Sequence, residues 1–131
     1  MPPKVSKSDT DWRAELSDLA YRVTRKGATE RAFTNDNFPK APGRFACVCC
    51  GAELFDAGHK FDSGSGWPSF WQPAEGAPVA ERPDNGLFMR RTEVYCADCE
   101  AHLGHVFNDG PQPTGLRYCI NGAALDFKPK D

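Results

Sequence analysis

Two Cys-x-x-Cys pairs separated by a long insert constrain this chain more than any other feature of its sequence. The first pair is Cys47 and Cys50, and the second is Cys96 and Cys99. Four thiols at this spacing are typical of a tetrahedral Cys₄ zinc site, with a disulfide framework as the alternative. Four thiolates fill the coordination sphere of zinc, so the pattern predicts one structural ion and no open position for a substrate. Cys49 lies inside the first pair, and a register in which it replaces a neighbour as ligand stays open.

Length and charge limit the classes of function that remain. A chain of 131 residues predicts a single domain, which we place at residues 9–131 after a flexible tail at residues 1–8. A net charge of -2 gives no positive field to hold a polyanion, so we expect no nucleic-acid partner. We expect a monomer.

The sequence also predicts a location. No stretch is long and apolar enough to span a bilayer, so we expect no membrane association. The polar start of the chain lacks the apolar stretch of a signal peptide, which predicts a cytoplasmic protein. Paired cysteines in a reducing cytosol are metal ligands or redox groups more often than disulfides, which favours zinc.

The 11 prolines and 12 glycines favour short strands joined by many turns over a helical bundle. Trp12, Leu16, Leu19 and Val23 recur at helical spacing and predict one helix, capped by Ser8 or Thr10 and stopped by Gly27. Loops are predicted at residues 62–69, 73–83 and 108–115. Strands are predicted at residues 44–50, 87–95, 102–107, 116–120 and 125–127.

Cys119 is separate from the four paired cysteines and is the candidate nucleophile. Arg117, Cys119 and Asn121 alternate along a predicted strand, so their side chains point to one face. An arginine lowers the pKa of a nearby thiol and an asparagine offers a hydrogen bond, so this face suits a reactive thiolate. The alternative is an inert, buried cysteine.

Two histidines precede this strand and are candidate proton donors. His102 and His105 face opposite sides of a regular strand, but both can face one pocket if the chain turns at Gly104. Phe107 and Asp109 follow His105 at alternate positions and share its face.

A glycine-containing loop supplies a candidate binding wall. Gly64 and Gly66 precede Trp67, which Pro68 restrains. Glycines allow close backbone approach, and an aromatic wall suits a small apolar group such as a methyl next to sulfur.

Long sequence strings resemble the type B methionine sulfoxide reductases, the methionine-R-sulfoxide reductase family. The similarity begins near residues 21–23 and 29–34 and continues through the Cys47/Cys50 knuckle and the string KFDSGSGWPSF at residues 60–70. It ends with HLGHVFNDGP at residues 102–111 and RYCIN at residues 117–121. These strings cover most of the chain.

The resemblance implies a mainly β fold: two antiparallel sheets in a zinc-stabilised, tent-like architecture with short N-terminal helices. It implies reduction of methionine R-sulfoxide, free or in proteins, with Cys119 as nucleophile passing through a sulfenic acid. It also implies Trp67 as the wall for the substrate methyl group. The other matched active-site positions are His102, His105, Phe107, Asp109, Arg117 and Asn121, and the matched zinc ligands are Cys47, Cys50, Cys96 and Cys99.

One departure from the family concerns the resolving cysteine that many members carry. This chain has Ser65 in the glycine loop and Ala32, Phe33 and Thr34 in the N-terminal loop. We therefore predict a one-cysteine cycle, in which thioredoxin or a small thiol reduces sulfenic Cys119 directly. A transient Cys49–Cys119 disulfide is the alternative.

Two other functions stay open from the residues alone. The first is a non-catalytic binding module on a zinc-knuckle β platform, in which Cys119 is incidental. The second is a generic thiol redox carrier that uses Cys96 and Cys99.

Overall fold

The computed structural model describes residues 4–85 and 90–130, which form two short helices and nine strands. Helix α1 spans Asp9–Glu15 and helix α2 spans Asp18–Lys26. The strands are β1 Gly43–Cys47, β2 Glu53–Asp56, β3 Lys60–Phe61, β4 Ser69–Phe70, β5 Val79–Asn85, β6 Arg90–Cys96, β7 His102–Phe107, β8 Arg117–Ile120 and β9 Leu125–Pro129. The predicted mainly β architecture with N-terminal helices is confirmed.

The predicted single helix is wrong, because the chain breaks at Leu16 and Ser17. Leu16 is extended, with φ -104° and ψ 153°, and the Ser17 hydroxyl accepts a hydrogen bond from the backbone N–H of Ala20. A serine that caps an N-terminus competes with continuation of the preceding helix, so one periodic stretch becomes two helices. Ser8 caps α1, as expected, and Gly27 ends α2 in the left-handed conformation at φ 72°.

All strand pairs in the two sheets are antiparallel. The smaller sheet has the order β2-β1-β9, and the larger has the order β3-β4-β8-β7-β6-β5. Phe45 and Phe55 from the smaller sheet pack on Phe70 of the larger one, with ring centroids 5.2 and 4.4 Å away. These three fully buried rings form the centre of the core between the sheets. Helix α2 covers one side of this core through Val23, which is also fully buried.

Several predicted boundaries need correction. Residues 79–83 were expected in a loop, yet Val79–Asn85 forms the edge strand β5. Proline is tolerated on an edge strand, which explains why Pro83 does not break it. The predicted strand at residues 87–95 starts at Arg90 in the structure, and residues 87–89 lie outside the described part of the chain. The strand predicted at residues 102–107 is confirmed.

The N-terminal tail predicted at residues 1–8 is described only from residue 4 onward. The backbone N–H of Val5 donates a hydrogen bond of 2.8 Å to the carbonyl of Asp98, beside the second cysteine pair. In the described part of the chain, neither helix is long and apolar enough to cross a bilayer.

The larger sheet has one face for the core and one for polar residues. Directly paired residues in an antiparallel sheet point to the same side. One such row crosses all six strands and contains Arg82, Glu93, His105, Cys119, Ser69 and Phe61. The neighbouring row, which includes the fully buried Val94 and Ile120, points into the core. The sheet therefore aligns the candidate nucleophile with charged side chains along a single row.

Candidate active site and metal centre

The four paired cysteines form a compact cluster. The Sγ atoms of Cys47, Cys50, Cys96 and Cys99 all lie within 4.8 Å of one another, with 3.6 Å between Cys47 and Cys99 and 3.7 Å between Cys50 and Cys96. A tetrahedron with zinc–sulfur bonds of about 2.3 Å has sulfur–sulfur edges of about 3.8 Å. The spacing therefore fits a tetrahedrally coordinated metal ion, and the four thiols could hold one.

A metal ion at this position would join the two sheets. Cys47 and Cys50 come from the β1–β2 connection in the smaller sheet, whereas Cys96 and Cys99 come from the β6–β7 connection in the larger one. Cys49 is not one of these four cysteines; its thiol lies against those of Cys47 and Cys99 and against the side chains of Thr24 and Arg25 on α2. The predicted placement of the two pairs in separate hairpins is confirmed.

Cys119 is half-buried and opens onto a small cavity of about 120 Å³. Trp67 and Phe107 provide the aromatic part of the cavity wall. The cavity is lined by Thr29, Trp67, Arg91, Gly104, His105, Phe107, Cys119 and Asn121. The structure thus brings five of the predicted site residues around one small, partly aromatic space.

The surroundings of Cys119 shift the pKa of its thiol in opposite directions. Burial raises the pKa of Cys119 above its ordinary value, while Arg117 and a hydrogen bond with Ser65 act to lower it. The predicted effect of Arg117 on the Cys119 pKa is present, but burial outweighs it, so the net shift of this pKa is upward. A raised pKa favours the thiol over the thiolate, so a nearby proton acceptor would promote ionisation of Cys119.

A bulge in β7 brings the two histidines to the same face. Glu93 pairs with His105 and Tyr95 pairs with His102, so Leu103 is an extra residue on β7 that shifts the alternation by one. The imidazole centroids of His102 and His105 are 5.5 Å apart. Both rings therefore lie on one face of the sheet, although the strand does not turn at Gly104 as the alternative for a shared pocket required.

Each histidine is hydrogen-bonded to a carboxylate, through a different ring nitrogen. Nδ1 of His102 lies 2.6 Å from Glu93, and Nε2 of His105 lies 2.7 Å from Asp84. Burial lowers the pKa of His105, and the hydrogen bond with Asp84 opposes that shift. Burial acts to raise the pKa of Glu93, but the hydrogen bonds from Arg82 and His102 hold it below its ordinary value.

Asn121 and Trp67 are both tied to Glu30. The Asn121 side-chain oxygen accepts a hydrogen bond of 2.9 Å from the Glu30 backbone N–H, and the Trp67 indole N–H donates one of 3.1 Å to the Glu30 carbonyl. The buried Glu30 carboxylate accepts hydrogen bonds of 2.8 Å from the backbone N–H groups of Gly122 and Ala123. Glu30 therefore fixes the aromatic wall relative to the end of β8.

Arg117 and Asp109 form a bidentate pair beside the cavity. Arg117 donates two hydrogen bonds to Asp109, at 2.9 and 3.2 Å, and its guanidinium lies 4.4 Å from the centroid of Phe107. Both charged residues line a second, more open cavity together with Ser65, next to the one at Cys119. The arginine thus faces the outer part of the site and braces Phe107.

Not every predicted site residue reaches the cavity at Cys119. His102, Arg117 and Asp109 do not line it, whereas Arg91, which the sequence reading missed, does. Arg91 and Glu93 are two residues apart on β6, so their side chains share one face. This charged face was the sequence signal that could have identified Arg91 as a site residue. Glu30 was also missed, because nothing local in the sequence marks a carboxylate that caps a turn 92 residues away.

Comparison with known proteins identifies the family. The SelR domain family model matches residues 16–129. "Peptide methionine sulfoxide reductase MsrB" of Hahella chejuensis is 54% identical over 129 residues, which cover 98% of this chain and 93% of the relative. Proteins of the same name from Acinetobacter baumannii and Synechococcus are 54% and 53% identical, at 98% and 96% coverage of this chain and 93% of each relative. The chain therefore belongs to the SelR domain family, the type B methionine sulfoxide reductases.

Proposed function

We propose that this protein reduces methionine R-sulfoxide, free or within polypeptides, to methionine with Cys119 as the nucleophile. The observation that carries the proposal is the cavity at Cys119, where a thiol, an imidazole and two aromatic rings meet in about 120 Å³. The relatives named as peptide methionine sulfoxide reductases support the substrate class. The substrate methyl group would pack against Trp67, an aromatic wall that matches a small apolar group next to sulfur.

His105 is the group best placed to move protons. It is the direct cross-strand partner of Cys119, and burial keeps its pKa below the ordinary histidine value. A neutral imidazole can take the proton of the Cys119 thiol, whose own pKa is raised. The imidazolium formed can then protonate the sulfoxide oxygen. His102 lies behind His105 and is assigned a supporting role.

The reaction balances with one protein thiol. The sulfur of Cys119 attacks the electrophilic sulfoxide sulfur, the oxygen is transferred to Cys119, and methionine leaves with both electrons of the broken bond. Cys119 is then a sulfenic acid. Two equivalents of an external thiol, such as reduced thioredoxin or a small thiol, return it to the thiol and release water and a disulfide.

The positions of the other sulfurs support direct reduction by the external thiol. Ser65 occupies the position next to Cys119, and Cys49 faces α2 beside the four-cysteine cluster. Zinc is the ion that the four-thiol donor set suits best, and its role would be structural because all four positions are filled. We also propose a monomeric, cytoplasmic protein, with residues 9–131 forming one domain.

The test is a stereoselective assay on separated R and S epimers of a methionine sulfoxide peptide, with dithiothreitol as reductant. We expect turnover of the R epimer only and complete loss of turnover in Cys119→Ser. Cys49→Ser is the matched control and should keep its rate. Equal rates on both epimers, or an active Cys119→Ser variant, would refute the proposal and return the non-catalytic binding module as the better hypothesis.

A trapping experiment tests the one-cysteine cycle separately. After one turnover without reductant, dimedone should label Cys119, and peptide mapping should find no disulfide. A Cys49–Cys119 cross-link in the same digest would replace direct reduction by a resolving-cysteine mechanism.

A further inference from the structure

A carboxylate on the edge strand β5 reaches past β6 to the histidine beside the nucleophile. Asp84 Oδ2 lies 2.7 Å from Nε2 of His105, although β5 and β7 are not neighbours in the sheet. A carboxylate only accepts hydrogen bonds, so neutral His105 carries its proton on Nε2 and keeps Nδ1 as an acceptor. His105 lines the cavity at Cys119 and Asp84 does not, so Asp84 acts on the chemistry through the side chains that it binds and not by touching the substrate.

Arg91 holds Asp84 in this orientation. The two residues are direct cross-strand partners, and Nη2 of Arg91 lies 3.3 Å from the same oxygen that binds His105. The guanidinium, the carboxylate and the imidazole are therefore linked in series, and the two outer groups both line the cavity. The hydrogen bond from His105 also holds the pKa of Asp84 below its ordinary value, so the carboxylate stays ionised at neutral pH.

We infer that Asp84 is a positioning residue for the proposed sulfoxide reduction, fixing His105 with Nδ1 available to the Cys119 thiol. The inference rests on the function proposed for the same site. The charged and titratable groups around His105 are Asp84, Arg91, Glu93, His102 and Cys119, on four strands. Within this set, Asp84 makes the hydrogen bond to the imidazole, so it determines the tautomer.

The second histidine provides an internal comparison. Glu93 binds Nδ1 of His102, the opposite ring nitrogen, and Nε2 of His102 is buried without a hydrogen-bond partner among the described residues. His102 does not line the cavity at Cys119. The two carboxylates thus hold the two imidazoles in opposite tautomers. Asp84 binds the ring of His105, which faces the nucleophile.

The kinetic test uses Asp84→Asn, with N-acetyl-methionine-R-sulfoxide amide as substrate and dithiothreitol as reductant. We expect kcat to fall about tenfold or more with KM within about twofold, because proton transfer by a misoriented His105 is less efficient while binding is kept. The limb of the pH profile that belongs to His105 should move to lower pH, because Asp84 raises the pKa of this imidazole. Asp84→Glu, which restores the carboxylate, should recover part of kcat.

Glu81→Gln is the matched control for these variants. Glu81 is a carboxylate on the same strand, and it binds the hydroxyl of Tyr118 at 3.2 Å and no histidine. The control should keep the wild-type kcat and pH profile. A wild-type kcat and pH profile in Asp84→Asn would overturn the inference.

A spectroscopic test needs no variant and no turnover. The chain has three histidines, so a long-range ¹H–¹⁵N spectrum of the wild-type protein can be assigned with His59 as reference. We expect the Nε2–H tautomer for His105 and the Nδ1–H tautomer for His102. An Nδ1–H tautomer at His105 would overturn the inference even if Asp84→Asn fails to fold. Absence of sulfoxide reduction in the wild-type protein would refute the proposed function instead and leave this spectrum as an independent result.

Discussion

Glu30 and Asn121 are 91 residues apart in the sequence, yet the backbone N–H of Glu30 donates a hydrogen bond of 2.9 Å to the side-chain oxygen of Asn121. The Asn121 amide group donates in turn to the carbonyl of Leu103 at 2.9 Å. The asparagine that the sequence marked as a partner for the thiol therefore uses both ends of its amide on the backbone. Its place in the site is to hold the N-terminal segment and the bulged strand together.

Removing the Glu30 carboxylate tests how much this link between the N-terminal segment and the end of β8 contributes to stability. Glu30→Ala should lower the free energy of unfolding by about 1–3 kcal/mol, because it leaves the buried backbone N–H of Gly122 and the half-buried one of Ala123 without their partner. Urea denaturation monitored by tryptophan fluorescence measures the change. Glu15→Ala, at an exposed carboxylate paired with Lys7, should change stability by no more than about 0.5 kcal/mol. Equal effects of the two substitutions would contradict the role given to Glu30.

Loss of one cluster cysteine should release the metal ion and loosen the two sheets. Cys99→Ser should purify without stoichiometric zinc and melt at a lower temperature, since a structural zinc site contributes directly to folding. Cys49→Ser should keep both metal content and melting temperature. Elemental analysis and calorimetry measure these quantities, and zinc loss in Cys49→Ser alone would reassign the ligand set.

Gly104 permits the close approach of β7 and β8 behind the nucleophile. A Cβ at this position would lie 2.0 Å from the carbonyl oxygen of Cys119, so the strands would have to separate. Gly104→Ala should therefore cost about 1–3 kcal/mol of stability and reduce activity strongly. Gly58→Ala is the control, because its Cβ would be 3.3 Å from the nearest side-chain atom and could be accommodated. Thermal unfolding and the sulfoxide assay measure the stability and activity of both variants. A stable, active Gly104→Ala protein would contradict the packing argument.

The raised pKa of Cys119 predicts how its alkylation depends on pH. A group with a raised pKa is more protonated at neutral pH, so the iodoacetamide rate should increase as pH rises and level off above the ordinary thiol range. Arg117 lowers this pKa, so Arg117→Gln should move the curve to still higher pH. Arg22→Gln, at an exposed helix pair with Asp18, should leave the curve unchanged. A shift of the Arg117→Gln curve toward lower pH would show that the arginine does not stabilise the thiolate.

Sequence alone was sufficient where the signal is local or chemically distinctive. The cysteine pairs predicted a four-thiol cluster and its position in two hairpins, and the periodicity at residues 102–107 predicted a strand. Edge strand β5 was missed, because prolines at residues 73, 78 and 83 resemble a loop when the pairing with β6 is not known. The helix break was missed because the apolar spacing continues across Ser17.

The electrostatic state of the site was the least predictable part. The neighbours of Cys119 in sequence suggested an ionised thiol, since Arg117 lies two residues away. Burial depends on the whole fold, and in the structure it outweighs the arginine. Asp84 and Arg91 entered the site for the same reason, because only the register of β5, β6 and β7 brings them to His105.

The single extra residue in β7 limits how this strand can change during evolution. If the bulge were lost while Leu103 was kept, strict alternation would turn His102 toward the hydrophobic interior, where its ring would displace an aliphatic side chain. A change that straightens β7 should therefore separate the two imidazoles, whereas a change of length in the connection at residues 108–115 would leave the bulge unaltered. Homologues should accordingly differ in the length of that turn but keep the spacing of the two imidazoles invariant.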